Sequence, residues 1–107
     1  MSLSDEDIAY VKDMFSGLGQ LSTRKMFGGL ALYHDGTIFA LMRSDGAVLL
    51  KGVGDFIAEL EAEGATQWTH VKPDGATGTM PYWTLPEAAL DDPEIACDWA
   101  RRALSRL

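Results

Sequence analysis

The sequence predicts an α+β domain, a two-layer α/β sandwich with an antiparallel sheet, in the order α-β-β-β-α-β-β-α. Three observations carry that expectation. Apolar residues recur at helical spacing at both ends of the chain, the middle runs in β-favouring segments instead, and Asp-Gly pairs at 35–36, 45–46 and 74–75 punctuate those segments as hairpin turns do. The 107 residues fit one domain over 1–107, since a single core commonly serves about 100–200 residues and needs no metal or disulfide staple at this size.

The first helix is expected over about residues 4–17. Ser4 suits the N-cap, and Asp5, Glu6 and Asp7 complement the positive end of the helix dipole. Ile8, Val11, Phe15 and Leu18 form one apolar stripe, and Gly17 and Gly19 mark its end. Residues 21–51 then read as a three-strand meander with strands near 23–34, 37–43 and 47–51, the long first strand bent or bulged at Gly28-Gly29. Phe56, Ile57 and Leu60 give a short second helix its buried side, closed by Gly64.

A second hairpin follows, with arms over 66–71 and 77–83. Pro81 lacks a ladder donor, so it marks an edge strand or a bulge. Thr84 and Glu87 have capping-box spacing for a helical turn around Pro86, and Asp92-Pro93 supplies an N-cap followed by proline at the first helical position. In that last helix Ile95, Trp99, Ala103 and Leu107 form the expected apolar stripe, while Arg101, Arg102 and Arg106 suit the negative end of the dipole.

Composition narrows the function classes. Sixteen Asp and Glu against nine Lys and Arg leave a net charge of −7, which disfavours autonomous nucleic-acid binding because the phosphate backbone supplies most nonspecific affinity. No apolar run approaches the roughly 18–20 residues that span a bilayer, and the acidic beginning lacks signal-peptide character, so a cytoplasmic protein is expected. Cys97 is the sole cysteine, which excludes an intramolecular disulfide and a thiolate cluster.

Candidate chemistry is sparse. His34 and His70 show no ligand or acid–base spacing, so neither a metal nor another cofactor is expected. Cys97 lies beside Asp98, whose charge disfavours a thiolate, and a packing role suits it better than a nucleophilic one. Gly28-Gly29 beside Arg24 and Lys25 is compatible with an anion nest, but no phosphate-loop or dinucleotide fingerprint accompanies it. Of Met26 and Phe27, neighbours on opposite strand faces, at least one is expected in the core. Arg24, Lys25, Arg43 and Lys51 fall in or beside the meander and would form a small basic patch if the fold gathered them.

The block Arg24-Lys25-Met26-Phe27-Gly28-Gly29-Leu30 is the most distinctive stretch of the chain. With Phe39-Ala40-Leu41, Leu50-Lys51, Tyr82 before Leu85-Pro86, and the ending from Asp92-Pro93 through Trp99-Ala100-Arg101-Arg102-Ala103-Leu104, the chain resembles the N-terminal domain of the TfoX/Sxy proteins, regulators of bacterial competence. The resemblance covers nearly the whole chain. It implies the same order of elements in a two-layer fold and a non-enzymatic regulatory or adaptor role, exercised by contact with a protein such as the transcriptional machinery. Arg24, Lys25, Met26, Phe27, Gly28 and Gly29 are then candidate partner-binding residues. Full-length members carry a further helical domain, and this chain is expected to stand as the first domain alone. The alternatives are direct nucleic-acid binding by the basic patch, or a small nucleotide-binding protein or enzyme using the Gly-Gly bend.

One strand carries a surplus of apolar residues. Ile38, Ala40 and Met42 alternate with Phe39 and Leu41, so both faces of the middle strand read as apolar although a single helical layer covers only one. Phe39 and Met42 are expected on opposite faces, one in the core and one at an interface, with a homodimer as the simplest occupant.

Overall fold

The computed structural model describes residues 3–26, 28–71 and 73–107, with His70 and Val71 described by backbone alone. Helix α1 spans Asp5–Met14 and opens on a reciprocal cap, in which the Asp7 N–H donates to Ser4 Oγ and the Ser4 N–H donates to the Asp7 carboxylate, both at 3.1 Å. The helix stops three residues earlier than its pattern suggests. Phe15 caps it and a single 3-10 turn, Ser16–Leu18, carries the chain to the sheet.

The sheet has six antiparallel strands: β1 (Leu21–Met26), β2 (Gly29–His34), β3 (Thr37–Met42), β4 (Val48–Lys51), β5 (Gln67–Val71) and β6 (Thr77–Thr84), in the spatial order β1-β2-β3-β4-β6-β5. Helix α2 (Phe56–Ala62) bridges β4 and β5, and α3 (Glu87–Leu90) with α4 (Pro93–Leu104) close the chain. The α+β class and antiparallel sheet match expectation, with one more strand and one more short helix than the simple order contains.

The extra strand arises at the double glycine. The expected long strand is a hairpin, because Met26 pairs with Gly29 and the chain reverses in between. Gly28, at φ +78°, supplies the left-handed backbone of the reversal. Gly29 has a different constraint: a β-carbon there would overlap the carbonyl oxygen of Met42 on β3. At the next hairpin, Asp35 (φ 48°) and Gly36 (φ 82°) form the two-residue turn with two positive φ angles expected of that pair.

A bulge divides the sheet's apolar residues differently from simple alternation. Leu32 pairs with Ala40 but Tyr33 pairs with Ile38, so Phe39 is an extra residue in β3. Phe39 and Ala40 consequently both point to the helical side, and Ile38 and Leu41 both point away. The expected opposition of Phe39 and Met42 is therefore corrected: both lie in the helix-side core, with Phe39 fully buried and Met42 2% exposed. Phe15 meets Phe39 edge-on, ring centroids 5.3 Å apart.

Helix α4 crosses this core on a face rotated from the expected stripe. Ala96, Trp99, Ala100 and Ala103 are buried, whereas Ile95 and Leu107 are exposed, because alanines let the helix approach β3 and β4 closely. Asp92 caps α4 by accepting from the Glu94 N–H, with Pro93 in the first turn, as expected. The expected Thr84–Glu87 box does not form: Thr84 lies in β6, its Oγ1 accepts the Thr66 N–H at 3.0 Å, and α3 has no side-chain cap. Arg102 binds Asp98 and Glu59, and Arg106 binds Asp55, which ties α2 to α4 at the surface. Pro81 lies inside β6 at a register jump between Gln67 and Thr69 of β5, so the bulge alternative holds, while β5 is the edge.

Candidate functional site: the open face of the sheet

All helices pack against one side of the sheet, and the other side carries its own apolar cluster. Ala31, Leu41, Leu49 and Tyr82 form its buried centre, and Met26, Tyr33, Ile38, Trp68 and Met80 pack around them half-exposed. Trp68 on β5 is three strands from β3, a backbone separation of roughly 14 Å, and the two long side chains bridge it: the Arg43 guanidinium carbon, just beyond β3, lies 5.9 Å from the Trp68 ring centre. A cleft of about 510 Å³ lies between the Met26–Gly29 hairpin, the end of β3 and the β5–β6 hairpin.

The rim of the cleft is held by one polar turn. Arg43 donates to both Asp45 carboxylate oxygens, Nε at 3.2 Å and Nη2 at 2.9 Å, and the Ala47 N–H donates to Asp45 Oδ1 at 3.1 Å. The Ala47 bond, with Arg43 adding to it, holds the Asp45 carboxyl below its ordinary value of 3.8 against the opposing effect of desolvation. Burial, then the neighbouring Tyr33, pushes the Tyr82 phenol above its ordinary value. A cleft wall of sulfur, aliphatic and aromatic groups, with the Tyr82 phenol as its polar handle, suits apolar side chains.

The sequence-derived candidates separate in space. Arg24 and Met26 lie on the open face, as their pairing with Ala31 and the second cluster requires, while Lys25 pairs with Leu30 and lines a small depression with Leu3 and Ile8 on the helical side. Gly28 and Gly29 shape the hairpin, and Phe27 lies outside the described residues. The four-cation patch does not gather as a unit: Arg24 and Lys51 share the open face, Arg43 is paired with Asp45, and Lys25 is on the other side. Met26 is half-buried against the second cluster, meeting part of the expectation for the Met26-Phe27 pair.

Sequence reading missed Trp68, Met80 and Tyr82 as site residues. Met80 and Tyr82 alternate with Thr79 and Pro81, which was the available signal, but the register jump at Pro81 hides which face they share with Trp68. His34 Nδ1–H donates to the Gly19 carbonyl oxygen, 2.9 Å away, and so braces the chain entering β1. The His70 side chain lies outside the described residues. Cys97 is 4% exposed, with Sγ 3.5 Å from the Met14 carbonyl oxygen, which agrees with a packing role. Among the described residues no group of three or more His, Cys, Asp or Glu side chains is placed to hold a metal ion, and no helix is long and apolar enough to cross a membrane.

The sequence model of the TfoX N-terminal domain matches residues 13–107, from the end of α1 through α4. The chain belongs to the TfoX N-terminal domain family. A curated relative, the DNA transformation protein TfoX1 of Aliivibrio fischeri, is 26% identical over 91 residues, covering 81% of this chain and 43% of that protein. The chain thus spans less than half of that relative's length. The TfoX N-terminal match includes all six strands and both faces of the sheet, so the helix-covered core and the open apolar face lie within the family domain.

Proposed function

We propose that this chain is a non-enzymatic regulatory domain of the TfoX family, acting by protein contact in the transcriptional control of competence. The observation that carries the reading is the apolar face left uncovered by the helices, within a domain whose relative is named as a DNA transformation protein. An adaptor needs an adhesive surface on a rigid frame, and here strands paired on both sides present Ile38, Leu41 and Tyr82 from a sheet backed by a packed core. The net charge of −7 supports contact with protein over contact with phosphate backbone.

Two measurements test this reading. Fluorescence anisotropy at about 0.15 M salt should find no sequence-specific duplex complex tighter than roughly micromolar. In cells, Ile38→Glu at unchanged protein level should lower competence-gene transcripts as deletion of the gene does. A nanomolar duplex complex that survives moderate salt, or full transcript levels with Ile38→Glu, overturns it.

A further inference from the structure

The acidic residues are unevenly distributed between the two layers of the molecule. None of the six strands contains Asp or Glu, whereas they carry Arg24, Lys25 and Lys51. The acidic residues lie in the helices and their flanks, or at the hairpin turns through Asp35, Asp45 and Asp74. Arg24 lies beside Ala31 and Lys51 beside Tyr82, on the open face, and neither has an ion-pair partner among the described residues. The charged residues lining the cleft itself, Arg43 and Asp45, are paired with each other, so the unpaired charges on the face that holds the cleft are the cations Arg24 and Lys51.

We propose that this face docks an acidic, amphipathic helix of a partner protein, a proposal that rests on the protein-contact reading above. The charge arrangement selects the sign of the partner: carboxylates on the helix flanks face Arg24 and Lys51 while its apolar stripe enters the cleft against Leu41, Trp68 and Met80. Backbone bonding selects its conformation. The inner strands beneath the face, β2, β3, β4 and β6, are paired in ladders on both sides, so between the edge strands β1 and β5 the face offers side chains and no row of main-chain partners. A segment lying on it must satisfy its own backbone, as a helix does. A second copy would present the same two cations and no carboxylate from its strands, so it lacks the negative charge this face calls for.

The probe is a fluorescein-labelled peptide of about 18 residues, long enough to hold a helix, with Leu and Phe on one face and Glu on the other. A basic counterpart has Lys for Glu, and a polar one has Ser for Leu and Phe. Anisotropy with the purified chain should show the acidic peptide binding at least about tenfold more tightly than either control, and more weakly as salt rises. Arg24→Glu with Lys51→Glu should weaken it about tenfold or more, consistent with two surface charge contacts, and Trp68→Ala should weaken it with the charges intact. Circular dichroism checks each variant, and the salt dependence of the wild type keeps the charge requirement testable if the double variant unfolds.

Equal binding of the acidic and basic peptides, or binding unaffected by both substitutions, overturns the proposal. So does a dimer, detected by light scattering, that Ile38→Glu dissociates, since the occupant is then a second copy. Peptide failure without duplex binding removes this occupant and leaves the protein-contact reading intact; preference for a DNA duplex over every peptide removes both.

Discussion

The Cα of Gly29 is packed so closely on the carbonyl oxygen of Met42 that no β-carbon fits between β2 and β3 at this point. Gly29→Ala must therefore push two paired strands apart and should cost about 1–3 kcal/mol, as overpacking does. Gly28→Ala acts through its positive φ instead and should cost about 1–2 kcal/mol. Thermal melts check both, each kcal/mol lowering the midpoint by about 4–8 °C in a domain of this size. Unchanged melting in both variants contradicts the hairpin geometry.

The bulge at Phe39 makes a second outcome specific. Phe39→Ala empties a site at the centre of the helix-side core and should cost about 3–5 kcal/mol. Its neighbour Ile38 is half-exposed on the other face, so Ile38→Thr should cost about 1 kcal/mol or less. Denaturant midpoints measure the contrast. Equal losses at 38 and 39 are incompatible with the observed division of faces.

Tyr82 gives the alkaline limb of stability a defined source. Its phenol is raised above the ordinary value of 10.0, first by burial and then by Tyr33, so the unfolded chain loses this proton at lower pH than the folded one. Stability from this group is complete below about pH 10 and declines as pH rises from there through the folded value. Tyr82→Phe has no such proton and should lose less stability between about pH 9 and 11, measured by urea midpoints. An identical decline in both proteins assigns it elsewhere.

Cys97 should behave as a reporter of opening. Its sulfur is packed between α4 and the end of α1, against the Met14 carbonyl and within reach of Gly17. A thiol reagent should label it in native buffer only as fast as the helices separate, and promptly in denaturant. Rapid labelling with unchanged circular dichroism contradicts this packing.

Much of the fold was legible because its turns and helix ends are written in residues with narrow preferences. Asp35-Gly36 accepts two positive φ angles, and Ser4-Asp7 and Asp92-Pro93 present caps that need no distant partner. The hairpin at Gly28 was less legible because glycine permits a bend, a bulge or a reversal alike, and the choice is made by pairing of β1 with β2. Phe39 was hidden for another reason: with Phe39, Ala40 and Leu41 all apolar, an inserted residue leaves no break in the pattern. The site suffered most, since Trp68 meets Arg43 from three strands away, a juxtaposition set by the order of strands in the sheet that no local period records.

The concentration of acidic residues in the helices and their flanks also makes the field of this acidic molecule uneven, most negative over the helices and least negative over the open face. The net charge of −7 repels an anionic body, and the repulsion is weakest along the approach to the sheet. The field thus acts as an orienting torque during diffusion, before any side chain is touched. At physiological salt it is damped within about 8 Å, so the torque operates over the last few water layers. For the acidic partner proposed above, ionic strength would then govern how often an encounter begins in the right orientation, and the apolar cleft how long it lasts.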